Sequence, residues 1–174
     1  MKNFTSIFLI AIYKLIYGYN LKVNFFQKWC YKTLISIKGK SYIRIGKDLL
    51  TRRNVTLKVF DGGSLIIKDN CFFNENVSIT ALESIEIGNN VNIGNNVVII
   101  DHNHDYKSKD LANKFVSKKI VIEDNVWIGA NSVILMGSII KEGSVIAAGS
   151  IVNKTVSSNT LFIQKRKSEE NKYV

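Results

Sequence analysis

The chain holds two histidines, His102 and His104, in the run Asp101-His102-Asn103-His104-Asp105. An imidazole titrates near neutrality, so it can take a proton from a hydroxyl and hand it on to a leaving group. Either histidine suits that role. Asp101, Asp105 or Glu123 could accept the second ring N–H and fix the tautomer. Two histidines fall short of the three that a carbonic-anhydrase type of zinc site needs. Cys30 and Cys71 make neither a CxxC pair nor a disulfide framework. No metal is expected, and a reducing, cytoplasmic setting is the default.

The elements that must position these residues announce themselves by a period of six. An aliphatic residue recurs at Ile122, Ile128, Ile134, Ile140, Ile146 and Val152. Four places after each stand Val126, Ser132, Ser138, Ser144, Ser150 and Val156. This period fits neither a helix face nor simple strand alternation. It predicts short strands joined by tight turns and stacked as a parallel β-helix. The register starts at Ile45, and of twelve repeats with a clear turn position, ten carry Asn or Gly there. They are Asn54, Asn70, Asn76, Asn90, Asn96, Asn125, Asn131, Gly137, Gly143 and Gly149; Asp48 and Thr155 are the exceptions. A turn with φ > 0 is open to Gly without strain and is tolerated best by Asn among the rest.

Three interruptions break the register. Between Leu57 and Ile67, Ile79 and Ile87, and Ile99 and Ile122 the chain carries four, two and seventeen extra residues. Each follows the third repeat of a group, which predicts three sides per coil and one corner from which every insertion leaves. The expected fold is mainly β: a triangular prism of about five coils over 43–163, with a protruding loop at 101–121. That loop carries both histidines, and insertions on one side of a repeat array commonly build its binding face.

Residues 1–42 read as a separate apolar and basic region, expected to be helical and to cover the open end of the first coil. They contain seven lysines and no Asp or Glu. The apolar run from Ile7 to Tyr17 is short of a membrane span, and no cleavage site marks it as a signal peptide. A second reading has this region touch an anionic inner leaflet from the cytoplasmic side. Residues 164–174 read as a charged tail. The net charge of +10 favours an anionic partner, but no nucleic-acid module is present.

These repeats resemble the hexapeptide-repeat acyltransferases, which fold as a left-handed parallel β-helix and are typically homotrimers. The resemblance covers about Ile43 to Thr155 and is nearest to the galactoside, maltose and capsular polysaccharide O-acetyltransferase branch. It rests on Asn74-Glu75-Asn76, Ile87-Gly88-Asn89-Asn90-Val91, the histidine loop, Asn125-Val126-Trp127-Ile128-Gly129, and the run from Ala147 to Lys154. It implies an enzyme that moves acetyl from acetyl-CoA to a sugar hydroxyl, the acceptor being a surface polysaccharide or its precursor. The family's catalytic histidine then falls on His104, with His102 as the alternative base. Asp101, His102 and Asn74 fall beside the acceptor. Trp127, Ala130, Ala148, Asn153 and Lys154 fall along the CoA arm. The chain departs from the family's Thr-x-His-Pro at the loop and lacks its C-terminal Gly-x-Pro-Ala. Acetylation of an antibiotic or amino sugar is the runner-up, and a non-catalytic β-helical scaffold is the non-enzyme alternative. A serine acetyltransferase would need a much longer helical N-terminal domain.

Overall fold

The computed structural model describes residues 4–110 and 113–165. Three parallel sheets form the walls of a β-solenoid of about six turns. The first wall stacks strands 21–23, 42–45, 64–67, 84–87, 120–122, 139–140 and 155–156. The second stacks 50–51, 72–73, 92–93, 127–128, 145–146 and 161–162, and the third stacks 34–37, 56–59, 78–81, 98–100, 133–135 and 151–152.

The period of six becomes columns of like side chains. Val23, Ile45, Ile67, Ile87, Ile122, Ile140 and Val156 lie in register up the first wall, all of them buried. Ile35, Leu57, Ile79, Ile99, Ile134 and Val152 do the same on the third. Each such side chain contributes roughly 1.5–3 kcal/mol through burial. Every one of the ten Asn and Gly turn positions has a positive φ, and so does the exception Asp48 at 54°. The turn asparagines also bond to one another up the prism. Asn54 Nδ2 donates to Asn76, Asn76 to Asn96 and Asn96 to Asn131, at 3.0, 2.9 and 3.0 Å. The serine column faces inward: Ser138 Oγ donates to the carbonyls of Leu135 and Val152 at 2.7 and 2.9 Å.

The first coil corrects two expectations. The α-helix covers only Phe4–Tyr17, followed by a 3-10 turn at Gly18–Asn20. Residues 21–37 already form a coil, so there are about six turns and not five. This coil escaped the register because its corners are held by side chains instead of Asn or Gly turns. Gln27 donates to Gly46 O and accepts from Leu49 N, both at 2.7 Å. Thr33 and Thr51 share a hydroxyl contact at 2.6 Å. The helix then covers this coil's open edge, as expected. Ser6, Tyr13 and Tyr17 donate to the carbonyls of Gln27, Thr33 and Ile35 at 3.0, 3.1 and 3.0 Å. Those carbonyls have no coil beneath them, and an unpaired strand edge otherwise invites aggregation. Of the charged tail, only Gln164 and Lys165 fall among the described residues.

Candidate active site

All insertions leave at the corner between the third and first walls. Residues 60–63, 82–83 and 101–119 fill it in successive coils. The longest carries a two-stranded antiparallel hairpin, 102–104 with 115–117, pairing His102 with Ser117 and His104 with Phe115. It is fastened at both ends of its ladder: at the base Lys118 N donates to Asp101 O at 2.8 Å, and at the far end Asp105 N donates to Lys114 O at 2.9 Å.

Asp101 is fully buried and its carboxylate accepts three N–H groups. Oδ1 takes Leu82 N at 2.8 Å and Oδ2 takes Glu83 N at 2.9 Å, both from the coil below. Oδ1 also meets His102 Nδ1 at 2.9 Å. An ionised carboxylate has only acceptors, so Nδ1 carries the hydrogen and Nε2 is left as the basic nitrogen. The His102 side chain is 8% exposed. Its ring lies edge-on to Phe60 and to Phe115, with centroids at 5.3 and 5.8 Å.

His104 stands two residues further along the same strand. It is exposed, and its ring lies tilted over Phe115 with centroids 4.6 Å apart. Phe115 therefore touches both imidazoles, the enclosed one of His102 and the exposed one of His104. Asp101, one of the three carboxylates that could orient an imidazole, is committed to His102 and two backbone amides. Asp105 Oδ1 accepts Lys107 N at 3.1 Å, and Glu123 Oε2 accepts Glu142 N at 2.9 Å. Phe60 and Phe115 were not singled out from sequence. The alternation of Phe115-Val116-Ser117 was the available signal for a strand there.

The remaining candidates gather elsewhere. Asn74, Ala130 and Ala148 lie at the corner between the second and third walls, Ala130 and Ala148 on successive coils and Asn74 two coils below Ala130. Asn74 is half-buried and turns its Oδ1 to Glu75 N at 2.9 Å, as a turn asparagine does. Backbone comes close here: a Cβ on Gly94 would stand 2.7 Å from Ala130 N, and one on Gly129 2.6 Å from Ala148 N. Trp127 is 57% exposed on the second wall, in register between Asn92 and Val145. It faces outward from that wall, a wall from which the histidine hairpin does not leave. Asn153 and Lys154 return to the hairpin's corner, both exposed, with Lys154 Nζ 5.4 Å from the Phe162 ring centre. Within one chain, then, the imidazoles and the Asn74–Ala130–Ala148 corner occupy opposite edges of the third wall. Cys71 is no nucleophile, since burial pushes its thiol up to about 11. Among the described residues, no group of three His, Cys, Asp or Glu side chains is placed to hold a metal.

Residues 119–154 match the family described as bacterial transferase hexapeptide (six repeats), and residues 64–100 the hexapeptide repeat of succinyl-transferase. Over 135 residues the chain is 31% identical to WbbJ of Escherichia coli, named for O-acetyl transfer in lipopolysaccharide biosynthesis; the match covers 72% of this chain and 69% of that protein. The chain belongs to the hexapeptide-repeat acyltransferases. A hexapeptide-repeat acetyltransferase of Vibrio cholerae, solved with acetyl coenzyme A, is 32% identical. It superimposes with a TM-score of 0.55, covering 72% of this chain and 64% of its own. The chain thus spans about two thirds of the length of each of these two relatives. The N-acyltransferase AntD of Bacillus cereus, solved with dTDP and 3-hydroxybutyryl-CoA, reaches a TM-score of 0.73 at 19% identity. That match covers 94% of this chain and 88% of AntD, and it speaks for the fold alone.

Proposed function

We propose that this hexapeptide-repeat protein is an O-acetyltransferase that moves acetyl from acetyl-CoA to a sugar hydroxyl, with His104 as general base. The observation that carries the choice of base is access. A base must come within hydrogen-bond reach of the proton it removes. His104 is exposed on the hairpin, its ring against Phe115, while the His102 side chain is closed in by Phe60 and Phe115. In the step, the acceptor oxygen attacks the thioester carbonyl as His104 takes its proton. The C–S bond then breaks, and the thiolate leaves with that proton. No covalent enzyme intermediate is required, which fits two cysteines of which one is buried and the other half-buried. The acceptor class, a surface polysaccharide or its precursor, follows the naming of the Escherichia coli relative.

The separation of the two corners favours a homotrimer. Histidines at one edge of the third wall and the Asn74–Ala130–Ala148 corner at the other come together only when chains sit side by side. The Ala130 N–H would serve the oxyanion. Trp127, Ala148 and Asn153 would line the pantetheine arm, and Lys154 would meet the phosphates. A second reading makes His102 the base, favoured by the Asp101 contact that fixes its tautomer. In that case Phe115 must move aside.

The test is thiol release from acetyl-CoA across a panel of sugars and amino sugars. His104→Ala is expected to lower kcat about 100- to 10,000-fold with KM for acetyl-CoA little changed. If His104→Ala keeps full turnover and His102→Ala loses it, the second reading replaces the first. Transfer only to amines would make the chain an N-acyltransferase. No thiol release with any acceptor would leave the scaffold reading in place.

A further inference from the structure

The capped end of the solenoid presents a surface that the proposed chemistry does not use. The helix Phe4–Tyr17 packs on the first coil through Ser6, Ile10, Tyr13 and Tyr17. Its opposite face is also apolar: Phe4, Phe8, Leu15 and Ile16 are 89, 69, 88 and 62% exposed. Phe25 and Phe26, exposed in the first coil, continue this surface past Ile7 into a cleft of about 970 Å³ whose far wall carries Arg52, Arg53 and Glu75. A helix that is apolar on its outer face has that face unpartnered within one chain.

Charge surrounds the patch on every side. Lys22 stands on the first wall, Lys28 opposite Leu50 on the second, Lys32 at the turn before the third, and Lys38 and Lys40 at the insertion corner. All five are exposed. The first acidic residue in the chain is Asp48. Residues 1–47 hold nine of the 24 Lys and Arg and none of the 14 Asp and Glu. The other 127 residues carry fifteen basic against fourteen acidic side chains, so nearly the whole net charge of +10 belongs to this end. Lysine stems can lie along an apolar surface while their ammonium groups reach outward to phosphates.

We propose that this end of the solenoid seats on an anionic lipid bilayer, with the outer face of the helix in the interface and the five lysines of the first coil against the headgroups. Apolar area at the centre and cations at the rim form the two-part signal that peripheral membrane attachment needs. The helix does not span: among the described residues no helix is long and apolar enough to cross a membrane. The prism axis then stands away from the bilayer, with the hairpin three coils above the surface.

The test is co-sedimentation of the full chain with phosphatidylcholine vesicles, with and without phosphatidylglycerol. Binding is expected only with the anionic lipid and is expected to weaken with salt. Phe8→Asn with Leu15→Asn should abolish it, and each of Lys22→Gln, Lys28→Gln and Lys32→Gln should lower partitioning about fivefold. These side chains are exposed, and unfolding curves check that the variants stay folded. Equal binding to both vesicle types, or no binding, overturns the proposal. So does an altered subunit number in Phe8→Asn/Leu15→Asn without altered sedimentation, which would make the face a contact between copies of the chain. The readout is independent of acetyl transfer.

Discussion

Removing the Asp101 carboxylate should loosen the hairpin before it unfolds the solenoid. Asp101→Ala leaves Leu82 N–H and Glu83 N–H without their acceptor and His102 Nδ1–H without its partner. A donor left unsatisfied costs about 1–3 kcal/mol. The two backbone amides are partly buried, so the low end applies to each, and the ring contact adds about 1 kcal/mol. The sum is about 3 kcal/mol, or roughly a 10 °C fall in melting temperature for a chain of this size. Asp101→Asn keeps one acceptor oxygen but turns an NH₂ towards an N–H, so about half of that loss is expected. Hydrogen exchange read by mass spectrometry gives the local answer. Amides at 82–83, 102–104 and 115–117 should lose protection, while those of strands 64–67 and 139–140 keep theirs. Wild-type stability together with unchanged exchange in the hairpin would refute the pinning role. A loss spread evenly over all coils would refute its locality.

Three further outcomes follow from the geometry. Asn96→Ala should be less stable than Asn96→Gly by about 1 kcal/mol, the reverse of the usual order, because φ is 57° there and only glycine adopts it freely; equal denaturant midpoints would contradict this. Gly129→Ala drives a Cβ to 2.6 Å from the backbone nitrogen of Ala148, and a loss of about 1–3 kcal/mol is expected by chemical denaturation. Asp124 has its pKa held below the ordinary carboxylate value, first by the Asn89 side chain and backbone N–H and then by Lys68. A depressed folded pKa gives stability that is complete above the unfolded value and disappears as pH falls through the folded one. Asp124→Asn should therefore flatten the acid limb of stability against pH below about 4, and an unchanged acid limb would remove Asp124 from that account.

Much of the fold was readable because a repeat writes the same local demand many times. The turn column needed a left-handed backbone, and all ten Asn and Gly positions supply it. The aliphatic columns stacked as their spacing required. The shared corner followed from counting insertions, with no structure in view. The first coil was not readable, since Gln27, Thr33 and Thr51 hold its corners through contacts about twenty residues apart in sequence. No local pattern records such pairs.

The site divides the same way. Sequence alone put two imidazoles and a carboxylate into the one long excursion, because a seventeen-residue gap in a strict period is visible without coordinates. Which imidazole the carboxylate holds was decided by tertiary structure. Asp101 turns inward to cap the coil below, and that orientation brings its Oδ1 to His102, while His104 lies exposed against Phe115. The physical reason is that side-chain direction at a corner depends on the unpaired amides of the neighbouring coil. Those amides belong to Leu82 and Glu83, eighteen or more residues away along the chain.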